Sequence, residues 1–370
     1  MRQTSARTGP GHQKKPVHRP AALCGHAGQL IKLCQNQKQL ARSVVELETA
    51  NQKQDQKLIL SGIALTALLG ALSISLPVLG FVCFLILPLP AFYYRMRLGA
   101  KKAAITTLGA FLFLVLFSQG LSADLFFLAG MLMLGFFMGE FSRRNLPVEK
   151  TIGYACGAVF SAGAFGLIIY GNVANLGLVR LISDYIGKNL ELTLAFYESI
   201  GMPEESITLL SSAMAQIQYV LIRILPSLCA AGLLFSAWLN LLLAKAVLRE
   251  SWNDGSLKGR LSNTWKTPDF LVWGIVGCGL MLLAPSVFLK VLGLNGIIVL
   301  TMIYFFQGIA IIAFYFETKK VPMALRVLIY GTIALQQLLV LVIAGIGLFD
   351  VWLNFRRLGS DNNGQIPLSS

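Results

Sequence analysis

Charge is scarce in this chain. Only 13% of its 370 residues are Asp, Glu, Lys or Arg, where a soluble domain carries roughly 25%. The shortage is uneven, because the charges gather in short clusters between long apolar runs, and 55% of the residues are hydrophobic. Lipid offers no partner for backbone groups outside helices or closed barrels. Barrel strands alternate apolar and polar residues over about 10 positions, whereas these runs are apolar on every side. The expected fold is therefore all-α: a polytopic helical membrane protein.

Histidine is absent from every apolar run, since His12, His18 and His26 all lie in the first 57 residues. That excludes a membrane-embedded histidine site. The chain also lacks a Walker loop, an HExxH sequence and a recognisably spaced carboxylate pair. It is not expected to be an enzyme, it calls for no cofactor, and it has no means of using ATP by itself. Cysteine is sparse. Cys83, Cys156, Cys229 and Cys278 stand alone in separate runs and read as small packing residues. Cys24 and Cys34 are too far apart for a zinc module, so no metal site is expected.

Acidic residues are also few, 17 against 31 Lys and Arg, for a net charge of +14. Half of the excess sits in residues 1–57, which hold ten bases and three acids. Most of the remainder lies in short loops beside the apolar runs, where it reads as a topology signal rather than as a nucleic-acid surface.

Along the chain, residues 1–57 form a basic tail, expected to be partly disordered at its Pro- and Lys-rich start. No signal peptide is expected, because no short apolar core follows the basic start. Leu30, Leu33, Leu40, Val44 and Leu47 suggest a short amphipathic helix further on. The membrane domain is placed at 58–349. The uncharged run 58–94 would reach about 55 Å as one helix, so Ser75, Pro77 and Gly80 are taken as a turn between spans at 58–75 and 79–94. Further spans are expected at 103–119, 124–140, 151–171, 217–244, 270–289, 297–316 and 327–349, making nine, with eight as the alternative. Gln119, Gly120 and Ser122 suggest one tight turn, and the sequence LGLNG (292–296) another. Apolar residues at 178, 181, 182, 185, 186, 192, 196 and 200 form one helical stripe, expected as an amphipathic extracytoplasmic helix ending at Gly201. Pro203, Glu204 and Glu205 then open the next helix. Residues 350–370 are a short polar tail.

Counting bases fixes an orientation. With the amino terminus inside, the loops 95–102, 140–150, 245–269 and 317–326 carry 15 Lys and Arg, while 172–205 carries five acids and two bases. Nine spans leave the carboxyl terminus outside, against the preference of Arg356 and Arg357.

Few residues invite a functional role. Arg223 interrupts the long apolar run near 206–244, and Pro226 kinks it three residues later. An ionisable residue in a span is a functional candidate, and equally a side chain reaching for headgroups. Asp124, or the acids of 178–205, are its expected partners. Asn172 and Gln216 complete the candidate ligand contacts. Gln307, Gln336 and Gln337 lie at similar depth and suggest a hydrogen bond between adjacent helices. Ala67 and Ala71, beside Gly70, make a small-residue face suited to close helix packing or to a partner.

The segments PLPAFYYRMRLGAKKAAITT (88–107), ILPSLCAAGLLFSAWLNLLLAK (224–245), NTWKTPDFLVWG (263–274) and GLFDVWLNFRRLG (347–359) resemble the YybS-like predicted membrane proteins, a bacterial family of unknown function. Asp350, Trp352 and Arg356 are the most distinctive matches. That family is more distantly similar, over six spans, to the substrate-capture (S) components of energy-coupling-factor transporters. The resemblance implies a six-span part at 58–249, three extra spans at 250–349, a solute cavity at the outer side lidded by 172–205, and docking of a separate ATPase module through Ala67 and Ala71. Two readings follow: a bacterial cytoplasmic-membrane protein capturing a small solute from outside, or a non-transport scaffold or assembly factor. Neither reading calls for a partner beyond the bilayer, the solute and the ATPase module, and neither involves nucleic acid.

Overall fold

The computed structural model describes residues 21–118, 123–144, 146–173, 177–247, 267–353 and 355. The expected turn at Gln119, Gly120 and Ser122, the start of the tail, most of the 245–269 loop, and Arg356 and Arg357 fall outside the described residues. Among the described residues there are twelve helices and no strand. They are α1 (Ala21–Ser75), α2 (Pro77–Ile86), α3 (Pro88–Leu98), α4 (Ala100–Phe117), α5 (Ala123–Arg143), α6 (Val148–Val173), α7 (Leu178–Ser199), α8 (Glu204–Val247), α9 (Leu271–Leu283), α10 (Val287–Thr318), α11 (Met323–Leu335) and α12 (Gln337–Leu353).

The chain divides into two units, Met1–Leu58 and Ile59–Ser370. In the first, the described residues are helical, and Thr49 Oγ1 donates to the carbonyl of Glu46. The second holds the rest of the fold. Its first core cluster joins Phe92 of α3, Leu132 and Met138 of α5, Ala155 of α6, and Ala237 and Leu241 of α8. Its second joins Phe305, Phe306 and Ile309 of α10 to Ile333 of α11 and Ile343 of α12. Trp238 of α8 stacks on Phe306 at 4.8 Å between ring centroids and links the two clusters.

Glycines set how closely the helices approach. On α5, Gly135 and Gly139 form a GxxxG face against α3. A Cβ on Gly135 would strike the carbonyl of Pro88, and one on Gly139 would come within 2.6 Å of Arg95 Cγ. On α10 and α12 the packing is reciprocal: Gly308 faces the carbonyl of Ile343, and Gly347 faces that of Tyr304. Without an aqueous phase to drive helices together, such backbone proximity is what dispersion and packing reward.

Seven segments are long and apolar enough to cross a membrane: Thr49–Ser75, Leu79–Leu98, Ala100–Phe117, Asp124–Arg143, Val148–Val173, Glu204–Lys245 and Val287–Thr318. Counting the bent pair α11 and α12 as one span makes eight. The expectation of nine is therefore revised at two places. Helix α9 has 13 residues, about 20 Å, which falls short of a hydrocarbon core of about 30 Å. The expected turn at 292–296 is helical and belongs to α10, which starts at Val287.

The second place is the last apolar run. It breaks at Gln336, where α11 and α12 meet at 106°. Helix α11 leaves the Thr318 end of α10, with Tyr330 packed on Phe316 and Arg326 donating to the carbonyls of Phe316 and Val321. Helix α12 then comes back. Ile343 lies at Gly308, and Phe355 accepts a hydrogen bond from Tyr315 Oη at 3.0 Å. It thus advances along α10 in the same direction as α10 itself, so the chain returns to the Thr318 end instead of crossing. The geometry fits a re-entrant pair.

Candidate functional site

Helix α8 is the central element, packing against α2, α3, α5, α6, α7 and α10. It has Pro226 in its interior. A proline there has no N–H to give and pushes on the preceding turn. The next step of the ladder, between the carbonyl of Arg223 and the N–H of Ser227, is bridged by a side chain from α10. Asn295 Nδ2 donates to Arg223 O at 2.9 Å, and its Oδ1 accepts from Ser227 N at 3.1 Å. The same Nδ2 also donates to Val291 O at 2.8 Å, one turn back on its own helix. A side chain set into the helical ladder is a recognised cause of a bend, and here it serves both backbone groups.

A second break follows the same plan. Pro88 ends α2, and Leu87 N reaches only Phe84 O, at 3.3 Å. The carbonyl of Leu85 accepts from Asn240 Nδ2 at 2.7 Å and from Ser236 Oγ at 3.3 Å, both on α8. The two parts of α8 are thus fixed to different neighbours. The part before Pro226 holds α7, because Gln218 Nε2 donates to both the carbonyl and the hydroxyl of Ser183 at 2.9 Å. The part after Pro226 holds the α2–α3 break.

The predicted site residues do not converge. Arg223 donates from Nη1 to the carbonyl of Tyr219 at 3.0 Å, and its guanidinium carbon lies 3.3 Å from the centroid of that ring. Among the described residues it makes no ion pair, so the expected pairing with Asp124 is replaced by a contact within its own helix. Asp124 is exposed in the first turn of α5 and acts on α7 instead. The Tyr185 hydroxyl is held above its usual range by burial and by the Asp124 charge, offset in part by Asn189. Asn172 is exposed in the last turn of α6, and Gln216 is exposed on α8. Two residues on, Gln218 makes the connection that Gln216 does not.

Ala67 is only 4% exposed, and Ala71 packs against the first core cluster. Gly62 and Gly70 on the same helix abut Thr106 and Leu114 of α4. The small-residue face of α1 is therefore covered within this chain rather than open to a partner. Gln307 does not meet Gln336 or Gln337, which are exposed at the α11–α12 bend. It is buried and donates to the buried carboxylate Asp350 Oδ2 at 3.1 Å, while Asp350 Oδ1 accepts from Phe355 N at 2.9 Å.

One ion-pair network lies at the junction of α3 and α5. Arg95, with its side chain 5% exposed, donates to Glu140 Oε2, and Arg144, 64% exposed, donates to Oε1 at 3.0 Å. Among the described residues no three His, Cys, Asp or Glu side chains gather as a metal site.

Sequence reasoning missed Asn240, Asn295 and Gln218. Each was visible as a lone amide in an apolar helix, where an amide needs a partner. Asn295 was masked by the Asn-Gly pair, which reads as a turn.

Comparison with known proteins agrees with this architecture. The chain is 26% identical over 302 residues to "Uncharacterized protein YybS" of Bacillus subtilis (strain 168), covering 80% of this chain and 95% of that protein. No solved structure matches it. The family model described as "Predicted membrane protein (DUF2232)" matches residues 64–351, and with that match running from α1 to α12 the chain belongs to the DUF2232 family of multi-pass membrane proteins.

Proposed function

We propose that the protein captures a small solute from the outer side of the membrane, with α7 and the adjoining part of α8 forming a lid hinged at Pro226. One observation supports this reading above the others: the Asn295 amide bridges the 223–227 step of α8. A proline kink alone leaves backbone groups bare when the helix bends, and bare groups are costly in lipid. A neighbouring amide that takes both groups allows the two parts of α8 to tilt while staying satisfied. Gln218 carries α7 along with the first part, and Asn240 anchors the second. In this reading Arg223, Asp124, Asn172 and Gln216 border the space that the lid closes.

The charge bias supports an amino terminus on the inner side of a bacterial cytoplasmic membrane. The chain has no nucleotide loop, so the implied partner is a separate ATPase module, docking on a face other than that of Ala67. The scaffold reading draws on a different observation, the double clamp of Ser236 and Asn240 on Leu85 O, which locks helices together.

The discriminating experiment is thermal stabilisation of the purified chain, at fixed salt, across organic metabolites including vitamins and cofactors. Ligand that binds the folded state raises its stability by mass action. A hit that Arg223→Ala removes without unfolding the protein supports capture. Absence of any hit, together with no ATPase module on co-purification, leaves the scaffold reading.

A further inference from the structure

Helix α7 presents three faces, where a helix that packs on one neighbour and meets water needs only two. Toward α8 it turns Ser183, Ile186 and Gly187: Ile186 is buried, and Gln218 bonds Ser183 and abuts Gly187. Its charged residues, Arg180, Asp184, Lys188, Glu191 and Glu198, are all exposed and share a second stripe at the helical period. Leu178, Tyr185, Leu192 and Phe196 share a third, roughly 120° around the helix from the charges by the same period. They too are exposed, Leu192 by 60% and Phe196 by 59%, and Ile200 just past the helix end extends the stripe. Asn189, on the same side, returns its amide to the carbonyl of Tyr185 at 2.8 Å.

Water suits the charged stripe and not the apolar one. A contiguous exposed apolar surface marks a contact with lipid or protein, and the course of this one points to lipid. The Tyr185 ring lies 6.3 Å from that of Phe127. Phe127 is itself exposed and belongs to the membrane-crossing segment Asp124–Arg143, near its Asp124 end. Tyr170 and Val173, at the end of α6 that leads to α7, are exposed as well and close the segment Val148–Val173. The stripe on α7 thus continues the lipid-facing surface of α5 and α6. From Tyr185 to Ser199 the helix runs on for about 21 Å. Upright, that stretch would hold Leu192, Phe196 and Ile200 in water. Along the membrane plane it seats them among acyl chains, as amphipathic interfacial helices do, with a tyrosine at the headgroup level it favours.

We propose that α7 lies in the bilayer interface at the Asp124 end of α5, with the stripe from Leu178 to Ile200 in the acyl chains of that leaflet. The five charges then face water, and α8 covers the remaining side. The lid of the capture reading is in this way fastened to the bilayer, but the placement stands whether or not a solute is captured.

The test uses the full chain reconstituted in phosphatidylcholine–phosphatidylglycerol vesicles. Photoreactive benzoylphenylalanine is placed at Phe196, Leu192 or Glu191, with exposed Leu112 of the α4 span as the lipid-facing control. Mass spectrometry reads the adducts after illumination. Phe196 and Leu192 should give phospholipid adducts at a yield at least about fivefold that of Glu191, because a side chain on the charged face meets few acyl chains. All three α7 positions are exposed, and if the variant at Phe196 fails to fold, Leu192 reads the same stripe. A covalent dimer from these positions in place of the lipid adduct assigns the stripe to a second copy and overturns the proposal. No lipid adduct at either position while Leu112 gives one, or equal lipid yields from Phe196 and Glu191, overturns it as well.

Discussion

The Asn295 bridge allows a quantitative test. In Asn295→Leu the side chain keeps similar volume but loses three hydrogen bonds: to Arg223 O, Val291 O and Ser227 N. Hydrogen bonds between membrane helices average about 0.6 kcal/mol and reach about 1.7. If the 223–227 step stays open, two backbone groups are left bare, at about 1–3 kcal/mol each, for a total of about 2–6 kcal/mol. If the step closes on itself, Ser227 N bonds to Arg223 O and the loss falls to about 1 kcal/mol. Pro226 is what resists closure. In the Pro226→Ala background the helix should close readily, and Asn295→Leu should then cost at least about 1 kcal/mol less than in the natural chain. The assay is a double-mutant cycle by reversible denaturant titration in mixed micelles, which isolates the coupling between the two sites. Additive effects within about 0.3 kcal/mol would refute the idea that the amide serves the proline break.

Other perturbations test the remaining elements. Gly347→Val places side-chain atoms against the carbonyl of Tyr304 and should destabilise by about 1–3 kcal/mol or more, whereas Gly331→Ala, which meets nothing within 4 Å, should stay within about 0.5 kcal/mol of the natural chain; denaturant midpoints compare them. Arg95→Ala removes the buried partner of Glu140 and should cost about 3–5 kcal/mol, while Arg144→Ala, at an exposed position, should cost less than about 1 kcal/mol; equal losses by the same titration would contradict the burial difference. Gln218→Ala should leave global stability nearly unchanged but speed amide exchange in α7, because its tie to Ser183 is lost. A reporter fused after residue 360 should give the same side as one inserted after residue 320, because α12 returns to the Thr318 end of α10; opposite sides would mean that α11 and α12 cross as one span.

Much of the helix order was legible, for reasons that can be traced to residues. Uncharged runs had to be helices in lipid, and Pro77 divides the first long run where α2 begins. Pro226 stood out in the sequence as well, and α8 runs on through it with Asn295 bonded to the adjoining turn. The expected partner of Arg223 was not legible, because opposite charge in distant segments says nothing about direction. Asp124 faces Tyr185 and Arg223 lies on Tyr219. The return of α12 was hidden for the opposite reason. The run 327–349 is apolar on both sides of Gln336, and no proline or glycine stands at the bend itself. Gln307 was recognisable as a polar residue in need of a partner, but Asp350 lay past the expected end of the last span and so was assigned to the tail.

The helix interruptions at Pro88 and Gln336 and the proline inside α8 differ in how their backbone is served. At Pro88 and Pro226 an asparagine from another helix bonds backbone groups next to the proline: Asn240 the carbonyl of Leu85, and Asn295 Arg223 O and Ser227 N. At Gln336 the described hydrogen bonds are local: Gln336 N to Thr332 O, and Leu339 N to Gln336 O. Non-helical backbone at membrane depth persists only against protein or water, and Gln336 and Gln337 are both exposed in the isolated chain. The bend at Gln336, unlike the two proline sites, therefore needs a polar surrounding that the lipid does not supply.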